Sequence, residues 1–75
     1  MKPLHLMLSD WQASWHLSSS EAARRCGVSP QHWHQLITGE TDNPRAGTLL
    51  KLAHGTGFSM ESLAEASEVQ RAVTV

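Results

Sequence analysis

Ser18-Ser19-Ser20-Glu21-Ala22-Ala23-Arg24-Arg25-Cys26-Gly27-Val28-Ser29-Pro30-Gln31-His32-Trp33-His34-Gln35-Leu36-Ile37-Thr38-Gly39 contains two short helices with a stop and a restart between them. Ser18 and Glu21 have the spacing of a capping box, in which the serine hydroxyl accepts from a free backbone N–H and the glutamate reaches back to the cap. Gly27 suits the left-handed residue that closes a helix, because it has no Cβ to clash. Ser29-Pro30 starts the next helix at once, as a capping serine with proline at the first helical position. Gly39 ends it. Helices joined by so tight a turn must cross closely, which calls for small residues on the first and apolar ones on the second. Ala23, Gly27, Val28, Trp33 and Leu36 meet that demand.

Working outward, Pro3 opens a first helix predicted to run to His16, with Leu4, Leu8, Trp11 and Trp15 on one apolar face. Trp11 and Trp15 are read as core, and Leu4, Met7 and Leu8 extend an apolar surface that one thin domain would struggle to cover. After Gly39 comes a polar turn, Glu40 to Pro44. Leu49, Leu50, Leu52 and Ala53 supply a fourth helix predicted to end at Gly55, with Gly57 close behind. Ser59 caps a fifth helix carrying Met60, Leu63 and Ala64 and fading after Ala66. Val69, Arg71, Val73 and Val75 alternate like a strand, yet so short an end reads equally as a frayed tail. The expected organisation is one all-helical, five-helix domain over residues 1–66, with 67–75 as a tail or short strand and a candidate dimerisation element.

Seventy-five residues allow a single modest core, which excludes a two-lobed enzyme. Cys26 is the sole cysteine, so no internal disulfide can staple the fold. Stability must come from helix packing or a partner subunit. No apolar run is long enough to cross a bilayer and no signal peptide is visible, so a cytoplasmic protein without a membrane partner is expected.

The ordered set Ala22-Ala23, Gly27-Val28-Ser29, Gly39, Asn43-Pro44 and Leu49-Leu50-Lys51-Leu52-Ala53 resembles the phage-repressor and Cro-like helix-turn-helix family, the xenobiotic-response-element type. The likeness runs from Leu17 to Ala64. It implies a lambda-repressor-like DNA-binding domain whose partner is double-stranded DNA, with the helix of residues 29–38 in the major groove. Four positions depart from the family pattern. Ser19 replaces a frequent glutamine that braces the phosphate backbone, which implies weaker anchoring, and Ile37 replaces a frequent glutamate. Arg45 takes the usual cap position of helix four, and Thr56 replaces a core leucine.

With Trp33, Leu36 and Ile37 assigned inward, the recognition helix exposes Gln31, His34, Gln35 and Thr38 as base-contact candidates. Gln31 and Gln35 lead, because a glutamine amide matches N6 and N7 of adenine. Ser19, Arg24, Arg25, Ser29 and Arg45 are candidate phosphate contacts, which fix register without reading sequence. A net charge of −1 argues against strong electrostatic binding. Its distribution softens that objection: Arg24, Arg25, Arg45 and Lys51 sit in the middle of the chain, while Glu61, Glu65 and Glu68 crowd its end. Five histidines add positive charge below about pH 6.5.

His32 and His34 point in different directions on a helix, so no metal-ligand set is expected. Cys26 reads as a small core residue rather than a nucleophile. Glu21, Glu40 and Asp42 are explained by capping and turns, leaving no paired carboxylates, no catalytic residue and no cofactor. The reading is a transcriptional regulator, a repressor acting as a homodimer on a pseudo-palindromic operator. The alternative is the same fold used to bind a protein partner, as an antitoxin or adaptor.

Overall fold

Among the described residues five helices form, and the second and third lie where the sequence punctuation places them. The computed structural model describes residues 2–41 and 44–73. They comprise α1 (Leu4–Ser14), α2 (Ser19–Cys26), α3 (Pro30–Thr38), α4 (Ala46–Thr56) and α5 (Met60–Val73). The Ser18 hydroxyl accepts from the Glu21 N–H and the Ser29 hydroxyl from the His32 N–H, so both serines cap the central pair as expected, while the Glu21 carboxylate does not complete a capping box. Gly27 and Gly39 adopt φ of 69° and 84°, the left-handed conformation that closes α2 and α3.

Helix α3 leans on both α1 and α2, α4 packs on α2, and α5 returns across α4 to α1. Leu4, Leu8, Ala22, Ala23, Trp33, Leu36, Leu52 and Leu63 are all fully buried. Trp11 meets Trp33 edge to face, with centroids 5.9 Å apart. Aromatic pairs of this geometry add about 0.5–1.5 kcal/mol beyond the area they bury. Trp33 therefore anchors α3 to α1 as well as to the core.

Several expectations are corrected. Helix α1 ends at Ser14, not His16, because His16 turns left-handed at φ 53°. That turn leaves Trp15 60% exposed, outside the core. Leu4 and Leu8 are covered within the single chain and offer no surplus surface. Gly55 does not end α4, which runs on to Thr56 and is closed by Gly57 at φ 85°. Gly55 is instead the contact point with α2: a Cβ there would lie 2.6 Å from both Cα and Sγ of Cys26 and 2.7 Å from the Arg25 carbonyl oxygen. Thr56 donates its hydroxyl to the Leu52 carbonyl and accepts from the Phe58 N–H, so it ties off the end of α4 rather than filling a leucine site.

The largest difference lies at the C-terminal end. Residues 67–73 are neither strand nor frayed tail but the last two turns of α5. Ser67 and Gln70 are buried there. The Gln70 Oε1 accepts from the His5 backbone N–H at 2.6 Å, and its Nε2 donates to the Thr41 carbonyl at 2.9 Å. Pro3 cannot cap α1 with a side chain. Gln70 supplies that cap from 65 residues away, fastening α5 to the start of α1 and to the loop after α3. Thr74 and Val75, the end of the predicted segment, lie outside the described residues, as do Asp42 and Asn43 of the polar turn.

Candidate nucleic-acid interface

Burying Trp33 and Leu36 sets the roll of α3 about its axis and decides what it presents outward. Gln31, His34 and Thr38 are exposed, Gln35 and His32 are half-buried, and Ile37 packs partly against the core. Gln31, His34, Gln35 and Thr38 are spaced by three or four residues and share one outward stripe. The Thr38 hydroxyl donates to the His34 carbonyl at 2.9 Å, so its proton is already used within the helix. Its oxygen keeps acceptor capacity. The Gln31 and His34 side chains make no hydrogen bond within the described residues and keep their full capacity toward water or a ligand.

The five candidate phosphate contacts fall into different settings. Ser29 sits at the start of α3 as its cap, and Ser19 is the first residue of α2. Arg45 precedes α4 and is exposed, with no side-chain cap on that helix. Arg24 is exposed on the last turn of α2. Arg25 is held differently: its guanidinium stands 6.0 Å from the centre of the Trp15 ring. Among the described residues Arg24, Arg45 and Lys51 have no acidic partner, whereas Lys2 pairs with Asp10 and Arg71 with Glu68. Glu61, Glu65 and Glu68 are exposed on α5.

The sequence reading missed Gln12. This half-buried residue of α1 accepts from the Trp33 indole N–H at 2.8 Å and donates to the Leu17 carbonyl at 3.1 Å and the Ser19 hydroxyl at 3.4 Å. The available signal was indirect: an indole N–H placed in the core needs an acceptor, and Gln12 adjoins Trp11 in the helix that must cover Trp33.

Cys26 is 2% exposed, and burial pushes its thiol up to about 11, far from a reactive thiolate. Among the described residues no three or more His, Cys, Asp or Glu side chains gather as a metal site. No helix there is long and apolar enough to cross a membrane. An open groove of about 600 Å³ lies between α1 and the α4–α5 turn, with Met7, Trp11, Trp15 and Phe58 among its lining residues.

Residues 12–72 match the helix-turn-helix domain family model, and the chain belongs to that family. It is 36% identical over 53 residues to an uncharacterized HTH-type transcriptional regulator of Coxiella burnetii (strain RSA 493 / Nine Mile phase I). That alignment covers 71% of this chain and 24% of the relative, so the chain spans about a quarter of the relative's length. No solved structure matches.

Proposed function

We propose that the protein is a sequence-specific DNA-binding transcriptional regulator that lays α3 in the major groove and acts as a repressor. The observation that carries this reading is the outward stripe of Gln31, His34, Gln35 and Thr38 on a helix anchored rigidly by Trp33 and Leu36. A recognition helix needs that combination, since its base contacts are only as well placed as its core anchor. Gln31 and Gln35 read adenine, His34 donates to guanine or phosphate, and Thr38 contributes an acceptor. Ser19, Arg24, Ser29 and Arg45 hold phosphates. Arg25 is the weakest member of that set because the Trp15 ring already engages it. The protein carries out no catalysis and needs no cofactor in this role.

One nine-residue helix reads only a few base pairs, so the functional unit is a homodimer on a pseudo-palindromic site. Half-site centres stand roughly ten base pairs apart, one turn of the duplex. Strand pairing through residues 67–73 is not the route, because they are helical and Gln70 is committed inside the chain. Among the described residues, Leu6, Trp15, Leu50 and Met60 are the large apolar side chains left exposed for an interface.

The apolar groove beside Trp15 favours a second reading, a module that binds a protein partner as an antitoxin or adaptor does. Selection from a random DNA pool, followed by affinity measurement over a range of salt, separates the two. A regulator enriches one operator and loses affinity steeply with salt, with a log-log slope of about −0.9 per phosphate neutralised by lysine or arginine. Absence of enrichment together with a flat salt response would leave the protein-partner reading.

A further inference from the structure

We propose that Gln12 is a positioning residue for the DNA-facing surface: it fixes the start of α2 against α3 and turns the Ser19 hydroxyl outward to a phosphate. The inference rests on the DNA-binding reading and adds to it a residue on α1, outside the two helices of the motif.

An indole nitrogen can only donate, so the contact with Trp33 at 2.8 Å assigns the amide oxygen of Gln12 to that side. The amide nitrogen must then face the Leu17 carbonyl and the Ser19 hydroxyl, at 3.1 Å and 3.4 Å. The backbone acts in the same direction, because the Leu17 N–H donates to the Gln12 carbonyl at 3.1 Å. One residue thus grips the link before α2 twice, touches the first residue of α2, and holds the buried anchor of α3. The left-handed turn at His16 brings these partners within reach of a single side chain.

The chemistry at Ser19 follows from the direction of the bond. Its oxygen accepts from Gln12, which leaves the hydroxyl proton free for an acceptor outside the protein. A chain running from amide N–H to hydroxyl to phosphate oxygen polarises in one sense, and each bond strengthens the next. Ser19 is exposed, so a phosphate can approach it.

Satisfying the Trp33 N–H would by itself make Gln12 structural, so the test needs a readout that stability alone does not move. Operator affinity is measured against salt for the full chain, for Ser19→Ala, for Gln12→Met and for the double variant, well below their melting temperatures. The expected result is that each single variant weakens binding several-fold while leaving the salt slope unchanged, because a neutral serine hydroxyl releases no counterion from its phosphate. The double variant is expected to lose no more than either single one. Should Gln12→Met melt too low to assay, Gln12→Glu keeps an acceptor for Trp33 but cannot donate to Ser19; it is expected to weaken binding more in the wild-type chain than in the Ser19→Ala background, a comparison from which the new carboxylate's repulsion of DNA cancels. Wild-type affinity in the Gln12 variants, or losses that multiply in the double variant, would overturn the inference while leaving DNA binding intact. A wild-type chain with no salt-dependent DNA binding would instead remove the reading on which it rests.

Discussion

Replacing Gly55 by alanine should destabilise the fold, although alanine is the better helix former. In an unconstrained helix interior the change gains about 0.5–1 kcal/mol, because glycine loses more backbone freedom on folding. At Gly55 the added Cβ would stand 2.6 Å from the Cys26 Cα and 2.7 Å from the Arg25 carbonyl oxygen. Both are backbone atoms of α2, so relief requires moving a whole helix. Overpacking of this kind costs about 1–3 kcal/mol and somewhat more when only backbone can yield. The clash therefore outweighs the propensity gain, and a net loss of about 1–2 kcal/mol is expected. Gly47 is a control in the same helix, since a Cβ there meets nothing within 4 Å. Gly47→Ala should gain the ordinary helix-propensity increment. In a domain of this size 1 kcal/mol moves the Tm by about 4–8 °C, so melting followed by circular dichroism resolves the two signs. Equal or higher Tm for Gly55→Ala would refute the close approach of α4 to α2.

Three further outcomes are expected. Gln70→Leu keeps the volume but strips the His5 N–H and the Thr41 carbonyl of their buried partner, and should cost about 2–4 kcal/mol by urea titration; a neutral result would return the end of α5 to a dispensable tail. The Cys26 thiol, raised from 9.0 to about 11 by burial, holds its proton more tightly in the folded than the unfolded chain. Its stabilising contribution is full below pH 9 and is lost as pH climbs from 9 through 11, about 3 kcal/mol in all, a dependence that Cys26→Ala should abolish in urea midpoints taken across that range. Gln31→Ala and Gln35→Ala should leave the fold intact and lower discrimination among operator sequences by about 1–3 kcal/mol for each lost bidentate contact; equal losses on specific and random DNA would argue against direct readout.

What the sequence made legible was local. The caps at Ser18 and Ser29 and the closing glycines at Gly27 and Gly39 act within one helical turn of themselves, so their residue types suffice to place α2 and α3. The outward stripe of α3 followed from the same placement once Trp33 was taken as core. The misread features depend on partners distant in the chain. Choosing between Gly55 and Gly57 as the end of α4 requires knowing that Cys26 presses on the former. The valines after Ala66 alternate like a strand, and only the bonds from Gln70 to His5 and Thr41 make plain that helix continues there. Trp15 keeps the spacing of the α1 stripe but falls one residue past its last turn, which exposes it. Gln12 went unnoticed because a polar residue beside an apolar stripe carries no sign of the indole N–H it serves.

The most direct test of the central claim is a residue-by-residue map of amide chemical-shift changes on adding a selected operator duplex to the labelled chain. The account predicts that the large changes fall on Gln31, His34, Gln35 and Thr38 of α3 and on the starts of α2, α3 and α4 at Ser19, Ser29 and Arg45. It predicts near silence along the exposed acidic side of α5 at Glu61, Glu65 and Glu68. Changes centred on Met7, Trp15 and Phe58, with α3 unaffected, would contradict it and locate the functional surface in the groove beside α1.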